Sequence, residues 1–193
     1  MQNRFGYLKL SAAIFIALFV ACSLFGKKDV SLISEGSKVI EMEKSKVDLD
    51  DGDSFKYGDM GIRVLGMDTP EISHPEHGFH EDQPFGREAA AMTAEIFEKA
   101  KKISYLPYQN DKYNRMLAHV FIDGNLLSTK LIEAGLAYET VSFYGDNGFP
   151  KLAERILEVA KKSKTKDFIP PYKWRQQHRK ANKSEPIPEK TKQ

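Results

Sequence analysis

Arg63-Val64-Leu65-Gly66-Met67-Asp68-Thr69-Pro70-Glu71 opens on an arginine, runs through apolar residues and ends in two carboxylates. Read outward, Ile62–Leu65 is a strand, and Ser54–Tyr57 and Lys38–Leu49 before it are two more, with partly alternating polarity. Gly58 and Gly61 suit a tight connection between the second and third. After Glu71, residues 72–84 carry three His, three acidic residues and two Pro without periodicity, which predicts a loop. Gly86–Lys101 is a helix with Ala89, Met92, Thr93, Ile96 and Ala100 on one face. Ile103–Tyr108 and Met116–Ile122 are strands, and Asp123-Gly124 predicts a hairpin turn. Ser128 is expected to cap a helix that runs to Ala134 and is stopped by Gly135. Pro150 starts a third helix, ending at Lys162, with Leu152, Ile156, Leu157 and Ala160 inward. The pattern alone gives an α+β domain.

The chemistry-bearing residues flank this strand. Asp53, inside Asp51-Gly52-Asp53-Ser54, and Asp68 can each present a carboxylate oxygen, and Thr69 can add its backbone carbonyl. Two carboxylates with open water positions suit a hard cation such as Ca²⁺. Asp51 is placed just behind them. Standing alone, Asp51-Gly52-Asp53 would be only a polar turn. An EF-hand register over 48–53 fails, because Gly52 falls at the fifth place and the twelfth lacks Glu. Glu71 is the spare carboxylate for proton transfer. Arg63 and Arg115 offer planar forks for a phosphate, which lysine cannot. Such a set is what metal-assisted phosphodiester hydrolysis requires. His74, His77 and His80 are spaced by three, but Pro75 and Gly78 among them make helical spacing meaningless, and a mobile loop is the reading preferred over zinc.

The order and spacing of these segments resemble the thermonuclease (staphylococcal nuclease-like) family. The likeness runs from Val39 to Trp174: DGDS at 51–54, R-x4-DTPE at 63–71, F-G-x-E-A at 85–89, D-K-Y-x-R at 111–115, G-L-A at 135–137 and PPYKWR at 170–175. It implies a five-stranded OB-fold β-barrel with three helices over 37–178, calcium on Asp53, Asp68 and Thr69, and catalysis by Arg63, Glu71 and Arg115. It also implies a monomer that cuts single- and double-stranded DNA, with RNA a second substrate, and contacts to a flanking phosphate or base from Lys112 and Tyr113. Asn114 stands where the family has glycine, and asparagine tolerates the left-handed backbone needed there. The family's base-stacking tyrosine after G-L-A falls on Val141, with Phe143 and Tyr144 close by. Trp174 is expected to pack the tail onto the barrel, and Phe121 to lie in the core. A catalytically silent binding domain and a surface-interaction lipoprotein are the other classes, and retention of all five charged residues argues against the first.

The ends of the chain address location. Arg4 and Lys9 precede the apolar run Leu10–Val20, which leads to Ala21-Cys22-Ser23. This is a signal peptide over 1–22, and Phe19-Val20-Ala21-Cys22 resembles a lipobox whose cysteine is lipidated. Export to a membrane-anchored lipoprotein at the cell envelope is expected, with plain secretion as the alternative. Residues 23–36 are a spacer. Cys22 is the only cysteine, which excludes an intrachain disulfide. The net charge of +2 hides an asymmetry: residues 161–193 carry 11 Lys/Arg against 3 Asp/Glu, on an acidic body. The basic end, disordered over 179–193, can attract a polyanion or serve only to solvate the chain.

Overall fold

A computed structural model of the chain describes residues 28–75 and 78–178. The expected strand over 38–49 is bent. Its halves, β1 (Ile40–Met42) and β2 (Val47–Leu49), are separated by a 3-10 turn at Lys44–Lys46. β3 (Ser54–Tyr57), β4 (Met60–Val64), β6 (Ile103–Asn110) and β7 (Met116–Ile122) complete a sheet ordered β1-β6-β7-β4-β3-β2, while β5 (Met67–Asp68) lies apart from it. The outermost positions are the two halves of one bent strand, so the sheet curls on itself as a five-stranded OB-fold barrel. All pairings within it are antiparallel except β4 with β7, where Arg63 lies opposite Leu117. Alternation on β4 sends Ile62 and Val64 into the core beside Ala118 and Val120 and turns Arg63 away from it. Phe121 is fully buried, as expected.

Among the described residues, five helices flank the barrel rather than three: α1 (Gly86–Lys99), α2 (Leu127–Glu133), α3 (Val141–Tyr144), α4 (Pro150–Lys162) and α5 (Pro171–His178). The two added ones are short, and neither carries a long enough apolar period to announce itself in sequence. α1 buries Ala89, Thr93 and Phe97, and Phe97 meets Phe55 edge-on at 5.2 Å. Burying that ring contributes about 1.5–3 kcal/mol. Ser128 does not cap α2. The cap is Leu126, and Ser128 lies inside the helix with a buried hydroxyl that has no partner. Gly135 ends α2 at φ 73°, as its conformational freedom allows. β8 (Asn125–Leu126) pairs with β7 across the Asp123-Gly124 turn, and β9 (Tyr138–Glu139) pairs with β5.

The spacer expected over 23–36 is docked where it is described. Asp29, in a 3-10 turn at Asp29–Leu32, is buried. It accepts the Leu126 N–H at 2.9 Å and the Arg155 Nε–H at 3.0 Å. A buried carboxylate pays its desolvation only with such partners, and Asp29 has both an amide and a guanidinium.

Candidate active site

The 51–54 turn is folded by its own first residue. Asp51 Oδ1 accepts the N–H groups of Asp53 at 3.0 Å and Ser54 at 2.7 Å. This places Asp51 behind the site as the turn's organiser. Only glycine fits at 52, where a Cβ would lie 2.7 Å from Thr69 Oγ1. The Gly52 carbonyl accepts the Thr93 hydroxyl of α1 at 2.8 Å, tying the helix to the turn. Asp53 Oδ2 in turn accepts the Thr69 N–H at 2.7 Å, drawing the DTPE loop onto the turn. Glu71 is clamped through its backbone by Gln83, whose Oε1 accepts its N–H at 3.2 Å and whose N–H donates to its carbonyl at 2.8 Å. Asp53, Arg63, Asp68, Thr69 and Glu71 are thereby brought together.

Two guanidiniums hold the carboxylates. Arg63 donates from Nη1 to Asp53 Oδ1 and from Nη2 to Asp68 Oδ1. Arg175, on α5, donates from Nη1 to Asp68 Oδ1 at 3.1 Å, from Nη2 to Asp68 Oδ2 at 3.0 Å, and from Nη1 to Glu71. Four buried acids, Asp51, Asp53, Asp68 and Glu71, thus face two arginines. Burial pushes the Asp53 carboxyl up to about 7 against the pull of Arg63, and it also raises Asp51 and Glu71. Burial pulls the Arg63 guanidinium down, but Asp53 and Asp68 override it and hold the charge firmly on.

The donor set fits a hard divalent cation. The acids exceed the arginines by two negative charges when ionised, all the donors are oxygens, and Thr69 Oγ1 is buried there without a hydrogen-bond partner. Among the described residues, no three His, Cys, Asp or Glu side chains are arranged as a ready-made cage. The expected set of two carboxylates and one backbone carbonyl leaves its remaining positions to water. Of the histidine loop, His74 lies 3.3 Å from Asp50, and His77 falls outside the described residues.

Arg115 is set apart from this cluster. It stands beside Gly61 of β4, where a Cβ would come within 3.2 Å of its Cγ. Its guanidinium is held by Asp111 through Nε at 2.9 Å and Nη2 at 2.8 Å. Asp111 also accepts the Tyr113 and Arg115 N–H groups, both at 2.9 Å, and Asn114 adopts the expected left-handed backbone at φ 62°. Lys112 and Tyr113 sit on this turn, the ammonium 5.0 Å from the ring centre and Tyr113 59% exposed. Phe143 and Tyr144 of α3 are also exposed, and Phe143 lies 5.5 Å from Tyr172. Trp174 is half-buried and stacks on His178 at 3.5 Å. Cys22 lies outside the described residues.

Sequence reasoning missed Arg175 and Gln83. The first is embedded in PPYKWR, yet lies 107 residues from its partner Asp68. The second sits in an aperiodic loop.

Fold and site together define an OB-fold protein with an acid–arginine cluster on the outside of its barrel. The model of the staphylococcal nuclease homologue family matches residues 61–167, more than half of the chain. The chain belongs to that family. Arg63, Asp68, Thr69, Glu71, Lys112, Tyr113 and Arg115 fall within the match, and Asp51, Asp53 and Arg175 outside it. The chain is 33% identical over 103 residues to the thermonuclease of Staphylococcus hyicus, covering 53% of this chain and 57% of that protein. It is 31% identical over 121 residues to the thermonuclease of Staphylococcus intermedius, covering 60% and 67%. Endonuclease YncB of Bacillus subtilis (strain 168) is 33% identical over 93 residues, covering 45% and 43%. The chain thus spans little more than half the length of the first of these relatives.

Proposed function

We propose that the protein is an exported, calcium-dependent endonuclease that hydrolyses phosphodiester bonds in DNA, with RNA the second candidate substrate, and with little sequence specificity. The observation that carries this reading is the burial of Asp53, Asp68 and Glu71 around Arg63, in a member of a nuclease family whose relatives include thermonucleases and endonucleases. Asp53, Asp68 and the Thr69 carbonyl would hold the cation. Bound Ca²⁺ supplies a Lewis-acid charge that polarises the phosphate oxygens and the water beside it. Glu71 accepts the proton of the attacking water. Arg63 presents its fork to the phosphate, and Arg115, in the turn that leads into β7, is a second donor to it; both gain hydrogen bonds as charge builds on the phosphoryl oxygens. Lys112 and Tyr113 meet a flanking phosphate or base. Contacts of this kind read the backbone rather than base edges, which is why little sequence specificity is expected.

The apolar run before Cys22 supports export and anchoring at the envelope through a lipidated Cys22. The test of the enzymatic reading is degradation of single- and double-stranded DNA by the protein with Ca²⁺ and with a chelator. Loss of cleavage in chelator is expected, and undiminished cleavage would remove the metal mechanism. For the anchor, Cys22→Ala is expected to release the protein from membranes, and retention of an unprocessed chain would overturn lipidation.

A further inference from the structure

Arg175 occupies a particular place in the cluster. Its Nη1 bridges Asp68 Oδ1 and Glu71, and its Nη2 takes the remaining Asp68 oxygen at 3.0 Å. On the proposed reading, Asp68 must turn an oxygen to a cation, and the attacking water must stand between that cation and Glu71. The guanidinium already engages both Asp68 oxygens and Glu71. Its helix is thinly attached: of the eight residues of α5 only Pro171 is fully buried, and the segment before it is tied by the Gln83 Nε2–H to the Ile169 carbonyl at 2.6 Å. The Arg175 side chain is itself 30% exposed, so its path to solvent is short.

We propose that α5 is a cation-linked latch. Arg175 substitutes for the divalent cation in the cation-free protein, closing the site, and cation binding at Asp68 expels it and loosens the helix. This rests on the reading that a cation binds at Asp53 and Asp68. Electrostatics require some such partner, because removing one member of a buried ion cluster without replacement is strongly unfavourable. Exchange of a guanidinium for a cation keeps the acids compensated. Whatever free energy holds Arg175 in place must then be overcome by the cation, so the latch lowers cation affinity, and removing it raises affinity.

Trp174, the next residue on the helix, is the only tryptophan in the chain, and its Nε1 is buried without a hydrogen-bond partner. It therefore reports on α5 directly, without recourse to activity. The experiment is a Ca²⁺ titration of the full chain in detergent micelles, followed by calorimetry and by Trp174 emission. In the wild type, emission is expected to move with the calorimetric saturation curve. In Arg175→Gln, Ca²⁺ is expected to bind roughly 5–150-fold more tightly, the range typical of coupling between sites. Its emission is expected to start at the saturated position and stay there. Calcium binding to the wild type without any change in emission, or equal or weaker binding to Arg175→Gln, would overturn the latch while leaving the metal site standing. Absence of calcium binding in both proteins would overturn both. The wild-type arm needs no substitution, so it decides the matter even if Arg175→Gln fails to fold.

Discussion

Glu71 and Asp68 share Arg175 but are placed for different work, and substitution separates them. Gln83 fixes the backbone of Glu71, so Glu71→Gln keeps the shape while removing the ability to take a proton and the charge that faces Arg175. Turnover is expected to fall on the order of 10²–10⁴-fold, the usual loss for a general base, without any weakening of calcium binding and with DNA affinity little changed. Asp68→Asn is expected instead to weaken calcium binding, since a charged ligand is lost; calorimetry distinguishes the two. A third residue sets acid stability. His119 of β7 is buried, neither ring nitrogen has a hydrogen-bond partner, and its ring lies edge-on to Phe149 at 5.3 Å. Burial lowers its pKa to about 4 from an ordinary 6.5. Between those values the unfolded chain binds a proton that the folded chain refuses, so stability is lost as pH falls from 6.5 toward 4. The loss amounts to about 3 kcal/mol by linkage. Urea unfolding at pH 7 and near pH 4.5 is expected to show a smaller acid loss for His119→Leu than for the wild type. Equal losses would mean that His119 is protonated in the folded protein.

At the scale of elements, the site depends on how closely the start of α1 approaches the DTPE loop. A Cβ on Gly86 would lie 2.2 Å from the Glu71 carbonyl oxygen. In an ordinary helix Gly→Ala gains up to about 1 kcal/mol. Here the added methyl meets backbone that Gln83 also holds, and overpacking of this kind costs about 1–3 kcal/mol. Gly86→Ala is therefore expected to lose both stability, read by urea midpoint, and turnover, because the carbonyl that must move belongs to Glu71. The sequence announces α1 and the barrel strands through local period: Ile62 and Val64 alternate with Arg63, and Ala89, Thr93 and Ile96 share a stripe. The same local signals place Asp53, Arg63, Asp68 and Glu71 at the ends and edges of those strands. They are silent on α3 and α5, too short to carry a period, and on Phe85, which enters α1 in a left-handed conformation at φ 70°. They are equally silent on Arg175, because an ion pair between distant segments leaves no periodic trace. Ser128 misleads for a related reason: a serine before an apolar run resembles a cap, yet the β7–β8 hairpin already positions Leu126 to start the helix.

Over the whole molecule, net charge is segregated, with the acids of the site on a net-acidic body and an excess of lysine and arginine over residues 161–193. A polyanionic substrate approaching the acid cluster is repelled by it, and a basic segment nearby offsets that repulsion. Residues 179–193 contain Arg179, Lys180, Lys183, Lys190 and Lys192 against Glu185 and Glu189, and they begin just after α5 ends at His178. Their deletion removes positive charge while leaving Trp174, Arg175 and the whole of α5 in place. A basic segment that touches phosphates releases counterions, and each lost contact makes the slope of log K against log salt shallower by about 0.9 on duplex DNA. Deleting 179–193 is accordingly expected to weaken DNA binding at low ionic strength and flatten its salt dependence. The effect should fade once the Debye length, about 10 Å at 0.1 M, shortens further. Turnover at saturating DNA should not change, because no residue of the acid–arginine cluster is removed. The measurement is DNA affinity over a salt series for both proteins, with turnover at saturation beside it. Superimposable salt series would mean that the basic end only solvates the chain, and a fall in saturated turnover would mean that it reaches into the site.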